Sequence, residues 1–233
     1  MTNRKVDMKT KFLDLEHSRI DALSDGIYAI ALTLLGFDLI GSVKAASEAE
    51  NLVAGLAEQW PVYFSFFLGF FVLYATWYQY HVRSQFAGRP TALIVWQHGF
   101  GLMIASLIPF GAAILAENIN TANMGWAVLC FGVIIFAESP LQLVFFTVLH
   151  IRGAMPVSND SPFTPASYVR MGAYLAAFST LYGSFAIAIA FASPWLALML
   201  YGIFLMSKVN PVGTFNRLIP RLNGILKLGI ETN

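Results

Sequence analysis

Charged residues are scarce in this sequence. Lys, Arg, Asp and Glu make up 12% of its 233 residues, whereas a soluble domain carries about 25%. The net charge is +1, and no basic cluster with interleaved aromatic residues occurs, so nucleic acid is not an expected partner. The single cysteine, Cys130, cannot form an intrachain disulfide. It lies inside an apolar run, where we expect it to fill space between helices.

Chemically active side chains are also few and scattered. His81 has no second His or Cys at ligand spacing, so we expect no bound metal ion. No convergent set of acids, bases and nucleophiles is present, and we therefore expect neither an enzyme nor a cofactor. The first 18 residues are too charged for the apolar core of a secretory signal. We expect the first apolar helix to direct membrane insertion itself.

Apolar sequence is abundant instead. Hydrophobic residues make up 57% of the chain and come in long uncharged runs, and a run of about 18 or more has the length of a helix that crosses the bilayer. The short segments of alternating polarity that mark a membrane barrel are absent. The sequence predicts an all-α, polytopic membrane protein with six transmembrane helices. The predicted spans are residues 19–40, 60–80, 92–116, 125–149 (interrupted by Pro140), 168–191 and 195–209.

The basic residues predict the orientation of these spans. Thirteen of the 14 Lys and Arg residues fall on one side of a six-span topology, and only Lys44 falls on the other. Cytoplasmic loops carry excess Lys and Arg, so both ends of the chain are predicted to be cytoplasmic, in a multi-pass protein of the plasma membrane. The chain then divides into a cytoplasmic N-terminal segment (1–18), a six-helix membrane domain (19–210) and a cytoplasmic or interfacial tail (211–233).

The first span is the most informative one. At about 100° per residue, one line along the helix holds four apolar positions and a single hydroxyl. Ser24 and Asp25 lie on the other side, where polar groups inside a bilayer need protein partners. The second span offers Trp77 and His81, four residues apart and so on one face. His98, at the start of the third span, is a further candidate. The apolar line consists of Gly26, Ile30, Thr33, Leu34 and Phe37.

A family resemblance enters at these residues. Residues 19–35 read Arg-x-x-x-Leu-Ser-Asp-Gly followed by Ala-Ile-Ala-x-Thr-Leu-Leu, with Leu23 in place of a more usual Phe. This run resembles the first-helix signature of the transmembrane protein 175 family of potassium channels, whose prokaryotic members have one six-helix repeat. Trp77, His81 and the pair Pro109-Phe110 extend the resemblance, and His98 stands where an Asn is frequent.

The resemblance implies a homotetramer in which four copies of the first helix line a potassium-conducting pore, with K⁺ and the lipid bilayer as the other partners. Ile30 would then form an apolar constriction, Thr33 a ring of hydroxyls, and Leu34 and Phe37 further pore-lining positions. Asp38 would concentrate cations at the outer mouth. A group of residues would act as structural links between the first helix and its neighbours and would not bind ions: Arg19, Ser24, Asp25, Trp77, His81 and His98.

Selectivity would need a mechanism other than a carbonyl filter, because the Thr-Val-Gly-Tyr-Gly loop of such filters is absent. A narrow isoleucine ring excludes ions by dewetting. If the ring opens slightly, ions shed part of their water, and Na⁺ holds its shell more tightly than K⁺ does. The four Thr33 hydroxyls could supply compensating oxygens. We therefore expect a modest preference for potassium.

Other interpretations of the same residues stay open. The apolar line of the first span could be a helix-packing surface, and Thr33 could bond to its own helix. Glu138, beside Pro140, could relay protons or pack as a hydrogen-bonded group. A proton- or ion-coupled secondary transporter would use Asp25, His81 and Glu138, although no internal repeat typical of transporters is evident. A non-catalytic scaffold subunit is a further alternative.

Overall fold

A computed structural model describes residues 17–84, 91–152 and 164–209, and every regular element in those ranges is a helix. Most of the predicted N-terminal segment and all of the predicted C-terminal tail lie outside these ranges, as do residues 85–90 and 153–163. The helices are α1 (His17–Ser47), α2 (Leu52–Glu58), α3 (Trp60–Ser84), α4 (Ala92–Asn118), α5 (Met124–Phe136), α6 (Glu138–Arg152), α7 (Pro165–Ala188) and α8 (Pro194–Val209), with a 3₁₀ turn at Ile189–Phe191.

Length and composition divide the helices into spanning and shorter ones. Among the described residues, five stretches are long and apolar enough to cross a membrane, if α5 and α6 are taken as one. The sixth predicted span, α8, has 16 residues and is about 24 Å long, shorter than the ~30 Å hydrocarbon core. The part of the chain that the structure describes is therefore a polytopic helical protein, with five long apolar stretches and one shorter apolar helix.

Local sequence explains where helices begin and break. Thr91 and Thr164 cap α4 and α7 by accepting hydrogen bonds from the backbone amides of Ile94 and Ser167. The fourth span is interrupted, as Pro140 predicts, and the break falls at Ala137, between α5 and α6. Proline has no amide hydrogen to donate to the carbonyl four residues earlier. That carbonyl belongs to Phe136, the last residue of α5.

The short helix α2 was not predicted from the sequence. Asn51 caps it, with its side-chain oxygen accepting hydrogen bonds from the amides of Val53 and Ala54. At Gly55 the helix packs directly on the end of α1, where any Cβ would collide with the carbonyl oxygen of Ala46. The segment between the first two spans therefore folds back against α1.

The main core joins α1, α3, α4, α5 and α8 with the C-terminal end of α7, where Ala186 is fully buried. At Gly69 of α3 the absence of a side chain brings three helices together, because a Cβ there would lie 3.1 Å from Leu35 and 3.3 Å from Ala112. Small residues at such positions let membrane helices approach closely. Leu35, fully buried on α1, is consequently held between α3 and α4.

A second, smaller core lies between α6 and α7. It contains Phe145, Phe146 and Leu149 of α6 with Val169 and Ala176 of α7. The ring of Phe146 fills the space over Gly172, where a Cβ would collide with it. α6 and the first part of α7 therefore share a core of their own, while the C-terminal end of α7 packs on Phe136 in the main core.

Candidate functional site

One face of α1 is buried against α3 and α4. Ser24, Tyr28, Ala31 and Leu35 are all buried, and they follow one another at the three- and four-residue steps of a single helix face. Ser24 is completely buried, so its hydroxyl requires partners inside the protein. This face carries most of the polar contacts that fix α1.

Two carboxylates of α1 accept hydrogen bonds from aromatic side chains of α3. The indole Nε1 of Trp77 donates to Asp25 over 2.8 Å, and the hydroxyl of Tyr80 donates to Asp21 over 3.0 Å. Asp21 and Asp25 are four residues apart and therefore lie on one side of α1. Trp77 is a predicted partner, whereas the Asp21–Tyr80 pair was not predicted, because the i, i+4 spacing of the two aspartates shows only that they share one side of α1.

Ser24 joins α1 to α4. Its hydroxyl donates to the carbonyl of Ile20 over 2.7 Å, and its oxygen lies 2.6 Å from Nε2 of His98. With its one hydroxyl hydrogen donated to Ile20, the serine oxygen accepts from His98, which assigns the ring to the tautomer with the proton on Nε2. The His98 ring also stacks on Tyr80, with centroids 4.0 Å apart. His98 thus bridges α3 and α4 at the point where both contact α1. We call the six residues Asp21, Ser24, Asp25, Trp77, Tyr80 and His98 the polar network.

Two predicted members of this group lie apart from it. Arg19 is exposed and has no polar partner among the residues that the structure describes. His81 does not contact Asp25 or Ser24; its ring stacks on Trp77, with centroids 5.7 Å apart. The stack can orient the indole, whereas the hydrogen bond to Asp25 comes from Trp77 alone.

The opposite face of α1 points away from the protein. Ile30 is 61% exposed, Leu34 44% and Phe37 64%, and Gly26 and Thr33 are exposed between them. We call these five residues the α1 stripe. No other helix in the described part of the chain covers it: these side chains are exposed, and a Cβ at Gly26 would meet nothing within 4 Å. The stripe is therefore free to contact lipid or further copies of the chain.

Thr33 is the only hydroxyl on the stripe. It donates to the carbonyl of Ile30 over 2.8 Å, the bond to its own helix that is common for threonine in membrane helices. With its hydrogen used inside the helix, the oxygen keeps its remaining lone-pair capacity facing outward. The hydroxyl is thus an acceptor on this face, and an acceptor is the group that a cation requires.

Asp38 lies beside the stripe and lines a cavity of about 300 Å³ between α1, α3 and α4. Phe37 and Ser42 of α1 border the cavity together with Gln59 and Glu117. Asp38 is half-buried there. The carboxylates of Asp38 and Glu117 thus border one cavity near the C-terminal end of α1.

Glu138, at the break of the fourth span, belongs to a separate polar contact. Its Oε1 accepts a hydrogen bond from Nε2 of Gln142 over 2.5 Å and lies 3.9 Å from Nη2 of Arg83. Among the described residues this is the one ion pair. In the sequence Arg83 is only one of the basic residues that predict the topology, and nothing links it to Glu138, 55 positions away.

Helices of this length and polarity define a polytopic membrane protein, and comparisons with known proteins identify its relatives. The family model described as the endosomal/lysosomal potassium channel TMEM175 matches residues 19–109. A potassium channel of Chamaesiphon minutus is 33% identical over 102 residues, which are 44% of this chain and 50% of that protein. A potassium channel of Streptomyces collinus is 26% identical over 191 residues, 81% of this chain and 89% of that one.

The fold has a solved counterpart. The crystal structure of a lysosomal potassium-selective channel TMEM175 homologue from Chamaesiphon minutus matches with a TM-score of 0.69 and 23% identity, covering 83% of this chain and 96% of that one. The predicted resemblance to the transmembrane protein 175 family is confirmed by the family model, the two potassium-channel relatives and the solved structure. The alignment spans half the length of the Chamaesiphon relative and most of the Streptomyces one.

Proposed function

We propose that this chain forms a potassium-preferring cation channel, a homotetramer in which four copies of the α1 stripe surround the pore. The observation that carries the proposal is the construction of α1. One face is fixed to α3 and α4 by the polar network, while the other presents an uncovered stripe with a single hydroxyl. A helix held firmly on one side and bare on the other is suited to line a path between copies. The names of the relatives support the same function.

In this proposal Ile30 forms the narrowest ring. Its side chain offers no oxygen, so a closed ring blocks ions by dewetting and a slightly open ring forces them to lose part of their hydration. Thr33, one turn further along, offers outward-facing oxygens whose hydrogens are already bonded to Ile30. Leu34 and Phe37 continue the apolar wall. Because Na⁺ loses water at a greater cost than K⁺, this arrangement favours potassium without a carbonyl filter.

Selectivity is tested by ion flux in liposomes that contain the purified protein. We expect K⁺ to pass downhill faster than Na⁺ and Thr33→Ala to lower the K⁺/Na⁺ flux ratio by roughly twofold or more, since a lost hydrogen-bonding group is worth about 0.5–1.5 kcal/mol. Thr147→Ala is the matched control, because Thr147 on α6 is also exposed and also donates to its own helix, at Leu143. An equal loss of preference in both variants would contradict the pore assignment.

Assembly is tested independently of flux. In a Cys130→Ser background, Phe37→Cys should form interchain disulfides on mild oxidation in the membrane, because the proposal brings copies of the stripe together. Phe178→Cys is the control, since Phe178 on α7 has almost the same exposure, 62% against 64%. Crosslinking at both positions to the same extent would show random collision instead of a pore assembled around α1.

A secondary transporter is the second candidate, and the break at Ala137 beside Glu138 favours it, since broken helices near the membrane midplane mark transporter sites. The three residues such a relay would use are held in different contacts, however: Asp25 with Trp77, His81 on the Trp77 ring and Glu138 with Arg83 and Gln142. K⁺ flux that requires a proton gradient would favour the transporter, and flux down a K⁺ gradient alone favours the channel.

A further inference from the structure

The fourth span is divided into two helices with different packing. α5 belongs to the main core, whereas α6 packs with the N-terminal part of α7 around the smaller core of Phe145, Phe146 and Leu149. The regular hydrogen bonding stops between them at Ala137, because Pro140 cannot donate to Phe136. Breaks of this kind are where helices bend. α6 can therefore change its angle to α5 by bending at Ala137, while the C-terminal end of α7 is held in the main core at Ala186.

Glu138, the first residue of α6, contacts the rest of the bundle next to this break. Its side chain is 17% exposed, and a carboxylate so enclosed within a membrane bundle needs partners. Arg83 of α3 supplies the counter-charge at 3.9 Å, and the carboxylate also lies against Gly101 of α4, where a Cβ would come within 3.4 Å of Oε1. Glu138 thus contacts both α3 and α4.

The two contacts of Glu138 are close to the two contacts that hold α1. On α3, Arg83 comes three residues after Tyr80, which donates to Asp21. On α4, Gly101 comes three residues after His98, which donates to Ser24. Residues three apart are neighbours on a helix. A displacement of Glu138 would therefore be passed to α1 through one helical turn of α3 and one of α4.

We propose that Glu138 is a positioning residue for α1, and that its ion pair with Arg83 makes α6 a control element for ion flow. This ion pair lies in the part of the bundle that carries the polar network and has no contact with Ile30, Thr33 or Phe37. Breaking it changes how much ion flow α1 permits and leaves unchanged which ion is preferred. The inference about flow rests on the proposed channel function, and the coupling to α1 does not.

The flux experiment is a double-mutant cycle. Glu138→Gln, Arg83→Gln and the double variant are reconstituted, and K⁺ and Na⁺ fluxes are measured for each. Both single variants should change K⁺ flux in the same direction by about threefold to tenfold, the range expected for coupling through a packed network. The double variant should show no further change, and the K⁺/Na⁺ ratio should stay at the wild-type value. Arg83 is 36% exposed, so Arg83→Gln should fold even if Glu138→Gln does not.

Two further variants separate positioning from mere stability. The charge swap Arg83→Glu with Glu138→Arg should recover at least part of the wild-type flux. Ser179→Ala removes the 2.6 Å hydroxyl contact with Ser139, which stabilises the α6–α7 pair without touching α3 or α4. It should leave the flux unchanged. A changed K⁺/Na⁺ ratio, additive single effects, no recovery in the swap or an equal effect of Ser179→Ala would each overturn the proposal.

Hydrogen exchange measures the coupling without any flux. In Glu138→Gln, amides of residues 20–28 in α1 should exchange faster than in the wild type. The reason is that α3 and α4, which hold these residues, have lost their charged contact with α6. In Ser179→Ala, faster exchange should be confined to α6 and α7. If α1 is unaffected by Glu138→Gln, the positioning role is wrong. If the exchange pattern is as expected but no protein carries ions, the coupling stands and the channel function fails.

Discussion

The two faces of α1 differ in a way that reverses the usual pattern of a soluble amphipathic helix. The face packed against α3 and α4 carries Ser24, Tyr28 and Ser42, whereas the face that points away carries Ile30 and Phe37. In water the apolar face would be buried; in a bilayer, polar groups have to find partners inside the protein and apolar groups can face lipid. Exposure alone therefore does not distinguish a lipid-facing residue from one that lines a pore between copies.

The largest effect is expected from a polar substitution at Ile30. If the exposed face lines a pore, Ile30→Asn admits water to the constriction and should raise K⁺ efflux by about tenfold or more, because a hydrophobic constriction gates by dewetting. Leu181→Asn is the control, since Leu181 of α7 is 73% exposed. Efflux from liposomes containing either variant is compared with the wild type. If neither variant alters efflux, the α1 stripe faces lipid and does not line a pore.

The next effect is expected on the buried face. Gly69→Leu would force a side chain into the contact with Leu35 and Ala112, where a Cβ alone lies within 3.1 to 3.3 Å of them. Overpacking of this kind costs about 1–3 kcal/mol. We expect a lower melting temperature in detergent and reduced hydrogen-exchange protection in α1. Unchanged stability would mean that α1 is not held as closely by α3 and α4 as the structure indicates.

A similar or smaller effect is expected from the polar network. Ser24→Ala leaves the His98 nitrogen without its acceptor in a half-buried site, which costs about 1–3 kcal/mol. Trp77→Phe removes only the indole donor to Asp25, and because Asp25 is exposed we expect about 1 kcal/mol or less. Thermal unfolding of both variants shows which substitution causes the larger loss of stability. A larger loss for Trp77→Phe would show that Asp25, not Ser24, is the main anchor of α1.

The smallest effect is expected at Gly26. In one chain Gly26→Ala meets no atom within 4 Å, and alanine is favoured over glycine in a helix by about 1 kcal/mol or less. Stability of the monomer should therefore be unchanged or slightly raised. A loss of the oligomer on native gels, with the folded monomer retained, would show that copies approach closely at Gly26.

Sequence reasoning located the spanning helices and the division of α1 into two faces, because both follow from hydrophobic runs and helical periodicity. It also indicated the break at Pro140, whose chemistry is local. It could not predict the pairs Asp21–Tyr80 and Arg83–Glu138, since no periodicity connects residues on different helices. The helix α2 was missed because its seven residues are too few for a periodic signal.

The length of α1 has a consequence for where ions would first meet the protein. Its 31 residues extend about 46 Å, while the hydrocarbon core is ~30 Å thick. Tilting alone would have to reach roughly 50°, and membrane helices rarely exceed about 40°. At least one end of α1 must therefore extend past the hydrocarbon core into the layer of lipid headgroups. Assembled copies would form a short collar among the headgroups at that end, so that ions would enter the protein before they reached the depth of the hydrocarbon.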